Sequence, residues 1–245
     1  MPRRPALSID REIVEKVPIR RARWKTASRL VPSRYPPIDV FERIADPDDW
    51  QVLYELESLT NPRLREEAGE ISIIPPSRRV TGPGASIVMA PFTHFSKDRP
   101  TRFSDGTFGV YYAASRRETA LREVAFHMGR FYARTADPPH DEAFRMYEGG
   151  IDSRLHDLRT GDWSRFLDPD VANYALPQLL GRHLRDAGSN GVIYPSVRHK
   201  QGQCVAAFWP DVVGIPVQTK HIMLKWDGQR ISAWFDYETG AWTKL

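Results

Sequence analysis

Residues 101–127, TRFSDGTFGVYYAASRRETALREVAFH, hold three side chains suited to chemistry on a charged substrate. Arg102 precedes the turn signal Asp105-Gly106, Tyr112 lies near the end of an apolar run, and Glu123 follows in the next segment. A guanidinium is a planar fork for oxyanions. A phenol offers an aromatic face with a polar tip. A carboxylate in a cleft stabilises developing positive charge. On a helical wheel of about 100° per residue, Leu121, Val124, Ala125, Met128 and Tyr132 form one apolar stripe, and Glu123 falls at roughly 200° from Leu121. Its neighbours three and four positions away are Thr119, Ala120, Phe126 and His127, a half-apolar second face on which a carboxylate can line a cleft. Composition alone gives more weight to a plainer reading, in which Glu123 is solvated, Tyr112 is a core aromatic and Arg102 is a surface charge.

The elements that must position these residues follow from local patterns. The run 108–113, FGVYYA, predicts a buried strand. Ser115 and Glu118 fit a capping box that starts a helix near Arg116. Residues 86–95 predict a helix with Met89, Phe92 and Phe95 on one face. Farther upstream, residues 38–44 read as a short strand. Asp46-Pro47 then opens a helix carrying Trp50, Leu53 and Tyr54, which Asn61-Pro62 ends. Residues 143–158 predict a strand with a bulge or break at Gly149-Gly150. Asp168-Pro169 opens a second long helix whose buried face is Leu176, Leu179, Leu180, His183, Leu184 and Ala187, with Gly188 as its C-terminal stop. Strands follow over 192–195, 204–209, 221–226 and 231–235, the last two joined at Asp227-Gly228. Strands and helices do not alternate regularly, so the expected class is α+β rather than a doubly wound sheet or a TIM barrel.

The chain has 245 residues, 41% apolar and 27% charged, and one cysteine. No apolar run is long enough for a transmembrane helix, and the N-terminus lacks the apolar core of a secretory signal. A lone Cys204 inside CVAAFW reads as a small buried side chain, so the expected location is the cytoplasm. Residues 1–34 carry ten Lys/Arg against three Asp/Glu, a net of +7, while the remainder carries 25 against 28, a net of −3. The excess therefore belongs to an N-terminal arm, either solvated, strapped onto its own acidic body, or meant for nucleic acid. No P-loop, dinucleotide glycine fingerprint, zinc spacing or G-x-S-x-G elbow occurs.

The order of the pieces resembles the RES domain family, named for an arginine, a glutamate and a serine. The matching segments are RFSDG at 102–106, GVYYA at 109–113, ETALREV at 118–124, QLLG at 178–181 and GVIYPSVR at 191–198, with FERIA at 41–45 upstream. The resemblance spans roughly residues 38–215. It implies a mixed sheet with flanking helices, related to ADP-ribosyltransferases, acting as the toxin of a bacterial toxin–antitoxin pair. It implies cleavage of the nicotinamide–ribose bond of NAD⁺, with ADP-ribose passed to water or phosphate. NAD⁺ is then a substrate, and no metal or cofactor is required. Glu123, Arg102, Tyr112 and Ser196 carry the reaction in this reading, and Arg43, Arg102, Tyr112, Gln178 and Ser196 hold the dinucleotide. Arg34 rivals Arg43, because Arg43 follows Glu42 instead of the aromatic usual in the family.

The implied partner is a small helix-turn-helix (Xre-type) antitoxin that covers the cleft and is the only link to nucleic acid; no membrane contact is expected. The expected layout is a basic extension over residues 1–37 and a catalytic domain over 38–245. The alternatives are a protein ADP-ribosyltransferase on the same fold, and a non-enzymatic nucleic-acid-binding module that uses the basic arm.

Overall fold

The computed structural model describes residues 11–35 and 71–245. In chain order the elements are α1 (Arg11–Lys16), β1 (Ile19–Pro32), α2 (Ala85–Thr93), β2 (Tyr111–Ala114), α3 (Arg117–Thr135), β3 (His140–Asp157), α4 (Ala175–Asp186), β4 (Gly191–Pro195), β5 (Gln203–Ala207), β6 (Val217–Trp226), β7 (Ile231–Asp236) and β8 (Ala241–Lys244). Short 3₁₀ turns occur at Ile71–Ile73, Pro76–Arg78, Ser164–Phe166, Val171–Asn173 and Pro210–Val212.

Side chains alternate across a strand, and that parity sorts the core into two layers. Tyr112, Ala114, Val192, Tyr194, Cys204 and Ala206 join one cluster with Ala120 and Leu121 of α3 and Leu180 and Leu184 of α4. The intervening Tyr111, Ala113, Ile193, Val205 and Ala207 join a second cluster with Ala85, Val88, Met89 and Phe92 of α2. With both faces of β2, β4 and β5 covered, their sequences are unbroken apolar runs. The strands form one mixed eight-stranded sheet in the order β1-β2-β5-β4-β3-β6-β7-β8, and β1 also pairs with β3. Among the described residues only the β3–β4 pairing is parallel. The expected α+β class, a mixed sheet with flanking helices, is what the structure contains.

Residues 19–32, read from the sequence as part of a charged arm, are a strand of this sheet, paired along β3 from Ile19↔His156 to Pro32↔Phe144. Counting charges hid the buried positions Ala22, Ala27 and Leu30. Arg20, Arg21 and Arg23 are exposed, whereas Arg29 turns in, donating to the Tyr112 carbonyl at 2.9 Å and lying over the Tyr111 ring. Arg21 grips Asp152 through two hydrogen bonds of 2.5 and 2.9 Å, Arg23 lies 3.6 Å from the same carboxylate, and Arg20 lies 3.9 Å from Asp157.

Other differences are local. The bulge belongs to β1, between Trp24 and Ala27, while β3 continues through Gly149-Gly150. Helix α3 starts one residue after Arg116, which sits at the N-cap without a side-chain cap; Glu118 turns outward to Arg122 at 3.0 Å instead of closing a capping box. Helix α4 starts at Ala175 and not at Asp168-Pro169, because Asp170 caps a separate 3₁₀ turn first. His183 and Ala187 are exposed rather than part of its buried face. Gly188, at φ +78°, takes the left-handed conformation that stops the helix. Strand β8 was not foreseen. The strand and helix expected over 38–61 lie outside the described residues, as does Arg43.

The packing of α4 on the Arg102 segment is intimate. A Cβ on Gly181 would fall 2.1 Å from the carbonyl oxygen of Phe103. Because that neighbour is backbone, Gly181→Ala forces the helix away. It is expected to lower stability by about 1–3 kcal/mol or more, read as a shift in the denaturation midpoint; an unchanged midpoint contradicts this packing.

Candidate active site

Three loops and strands converge on the face of the sheet covered by α3 and α4. Strand parity directs Tyr112, Tyr194 and Cys204 to this face, and α3 lays Glu123 across the end of β4. Ser196, one residue beyond β4, donates its hydroxyl to Glu123 Oε1 at 2.5 Å. The same Oγ accepts from the backbone N–H groups of Arg198 and His199 at 3.1 and 3.0 Å, so the turn after β4 is folded around this serine. Cys204 Sγ approaches the same carboxylate oxygen at 3.8 Å.

The segment before β2 is held as tightly. Tyr112 accepts from the Phe103 backbone N–H at 3.0 Å and donates to Thr101 Oγ1 at 2.9 Å. Burial pushes its pKa up to about 12, so it remains a donor at neutral pH. Gln178 of α4 donates to the Thr101 carbonyl at 2.9 Å. These contacts and the Gly181 approach give RFSDG and QLLG a shared physical meaning, since the two motifs pack backbone to backbone. They also set Arg102, which is 6% exposed. Its guanidinium donates to the Asp168 carbonyl at 2.8 Å and to the Tyr174 hydroxyl at 3.0 Å, and lies 4.4 Å above the Tyr174 ring. Arg102 thereby ties down the loop between β3 and α4.

The buried Tyr194 phenol feels the charges of Glu123 and Arg102; burial raises its pKa, Glu123 raises it further, and Arg102 opposes. His127, one turn after Glu123, has its Nε2 4.0 Å from Glu123 Oε2. Its pKa is lowered to about 4, first by desolvation and then by Arg198, Arg102 and Arg130. About half of the side chain meets solvent, which screens part of this effect, so the firm consequence is a neutral imidazole at pH 7. Arg198 stacks on Phe126, 3.3 Å from the ring centroid, and donates to the Pro169 carbonyl. Next to it runs an open groove of about 340 Å³ lined by Arg122, Ala125, Phe126, Val197, Arg198 and Leu245. The site thus sets the Glu123 carboxylate, held by Ser196, beside a groove edged by Arg122 and Arg198, with Glu118 paired to Arg122, an arrangement suited to an anionic ligand that develops positive charge at one atom.

A model of the RES domain family matches residues 76–227. The chain belongs to the RES domain family. The match contains Arg102, Tyr112, Glu123, Gln178 and Ser196, while β1, β7 and β8 lie outside it. An uncharacterised protein, y4oC, of Sinorhizobium fredii (strain NBRC 101917 / NGR234) is 32% identical over 219 residues, covering 86% of each chain. Among solved structures, the M. tuberculosis MbcT–MbcA toxin–antitoxin complex aligns over 89% of this chain and 91% of its own, with 12% identity and a TM-score of 0.45.

In this RES domain, Glu123 and Ser196 meet directly, and Arg102 and Tyr112 share their face of the sheet. Gln178 stands behind, bonded to backbone. Arg34, the rival to Arg43, pairs with Glu142 at 2.9 Å on β3. Reading the sequence missed Tyr174, Tyr194, Arg198 and the contact of Cys204 with Glu123. Parity held a signal for two of them: Tyr194 precedes Ser196 by two positions and is the register partner of Cys204. Among the described residues no helix is long and apolar enough to cross a membrane, and no three His, Cys, Asp or Glu side chains are placed to hold a metal ion.

The histidine gives a signed test. The unfolded chain takes up this proton near pH 6.5, and the folded chain only near pH 4. His127 therefore contributes stability above pH 6.5 that is lost as pH falls toward 4. The His127 ring resonances should stay in the neutral form down to pH 6 in an NMR titration, and Arg198→Ala should move the midpoint upward. A wild-type midpoint at the ordinary value contradicts the electrostatic reading of the site.

Proposed function

We propose that this chain is the toxin of a toxin–antitoxin pair and cleaves the nicotinamide–ribose bond of NAD⁺. The observation that carries the reading is the Glu123 carboxylate, fixed by Ser196 at 2.5 Å on a turn that also carries Arg198. Family membership supports the same chemistry through the resemblance already described. The C1′–N bond breaks with its electron pair leaving on nicotinamide, and positive charge spreads over C1′ and the ribose ring oxygen. A carboxylate beside that ring stabilises the charge as in glycoside cleavage. Arg102 and Arg198 provide the field for the pyrophosphate, although Arg102 already donates to the Asp168 carbonyl and can bind it only by sharing or releasing that bond. Water then attacks C1′ and loses a proton, giving ADP-ribose and nicotinamide; phosphate in its place gives the 1″-phosphate.

Transfer to a protein side chain uses the same first step and differs only in the acceptor. Against the nucleic-acid reading, Arg20, Arg21 and Arg23 of β1 lie beside the chain's own aspartates. The cytoplasm, where NAD⁺ is available, is the proposed site of action. A small Xre-type helix-turn-helix protein that covers the cleft is the proposed inhibitor, and DNA is reached only through it.

Purified protein should release nicotinamide from NAD⁺, alone or with phosphate. Glu123→Gln should lower kcat by about 10²-fold or more with an unchanged circular dichroism spectrum. No release by folded wild-type protein free of any inhibitor defeats the reading. Radiolabel from NAD⁺ retained on protein, instead of in small products, favours the transferase.

A further inference from the structure

Two hydrogen-bond donors from different elements converge on one oxygen of Glu123. Ser196, after β4, donates to Oε1 at 2.5 Å, and Cys204, in β5, approaches the same Oε1 at 3.8 Å from the sheet side. No described residue donates a hydrogen bond to Oε2, whose neighbour His127 stands off at 4.0 Å. We infer that Cys204 is a positioning residue for Glu123, pairing with Ser196 to immobilise Oε1 so that Oε2 alone faces the substrate. The assignment rests on the proposed role of Glu123 and deepens it.

The geometry of β5 leaves the thiol little freedom. Cys204 is 3% exposed and sits between Ala114 of β2 and Tyr194 of β4 in the sheet register. Burial and the adjacent carboxylate push the thiol pKa well above its ordinary value, with Ser196 and Tyr194 opposing in part. The sulfur therefore stays protonated and acts as a donor, not as a nucleophile. A thiol is a weaker donor than a hydroxyl, but it approaches from inside the core where it cannot swing away. The serine holds the carboxylate along the turn and the cysteine holds it against the sheet, which together fix the plane of the carboxyl group.

The chain contains one cysteine, so its S–H stretching band, in an infrared window that other protein groups leave empty, reports Cys204 alone. The band should lie at lower frequency in wild type than in Glu123→Ala, where the acceptor is gone. Identical frequencies in the two overturn the assignment whether or not the protein turns over NAD⁺. In the nicotinamide assay, Cys204→Ala should lower kcat by about three- to tenfold with less than about a twofold change in KM, and Cys204→Ser, which keeps a donor, should recover most of it. A folded Cys204→Ala protein with wild-type kcat also overturns it. If wild type releases no nicotinamide, the proposed reaction fails and the infrared comparison still decides the role of the thiol.

Discussion

One carboxylate oxygen ties helix α3 to the sheet at the place where chemistry is possible. Ser196 binds Glu123 Oε1 while receiving two backbone N–H groups from its own turn. The conformation of the turn after β4, the orientation of α3 and the aim of the carboxylate are therefore set together. His199 extends the connection, with Nδ1 2.8 Å from the buried Thr119 hydroxyl one turn before Glu123. A side chain on a helix would ordinarily sample several rotamers; here it is held from two directions, and the ordering cost is met in folding rather than in binding.

The second constraint is close approach of backbone to backbone. Gly181 lets α4 press onto Phe103, Gln178 bonds Thr101, and Tyr112 bonds both Phe103 and Thr101. Arg102 emerges from this clamp into the loop at 166–168, with Tyr174 beneath it. A buried guanidinium without acceptors would be strongly unfavourable, so the carbonyls of that loop are as much part of the arginine's setting as the strand that carries it. Burial first, and then positive charge from Arg198, Arg102 and Arg130, lowers the pKa of His127. Folding contacts and the electrostatics of the cleft are thus the same set of interactions.

Helices α2 and α3, strands β2, β4 and β5, and the stop at Gly188 were legible because each rests on a local signal: apolar runs, the stripe from Leu121 to Tyr132, a left-handed glycine. Strand β1 was not, because its fourteen residues carry four arginines and a lysine, and only pairing with β3 turns Ala22, Ala27 and Leu30 inward. The start of α4 was misplaced because Asp168-Pro169 and Asp170 are both valid opening signals, and the separate turn at Val171–Asn173 used the second.

The amino-acid order by itself determined which face of α3 carries Glu123, since helical periodicity fixes that from spacing alone. It also determined that Tyr112 lies in an apolar run with the composition of a buried strand. Only the tertiary structure decided that Cys204 and Ser196 meet on one oxygen of Glu123, that Gln178 serves the backbone of Thr101, and that Arg102 turns toward the Asp168 carbonyl. Those contacts join residues 66 to 81 positions apart, and no local propensity encodes such a pairing; it exists only once the sheet register and the helix packing have brought the segments together.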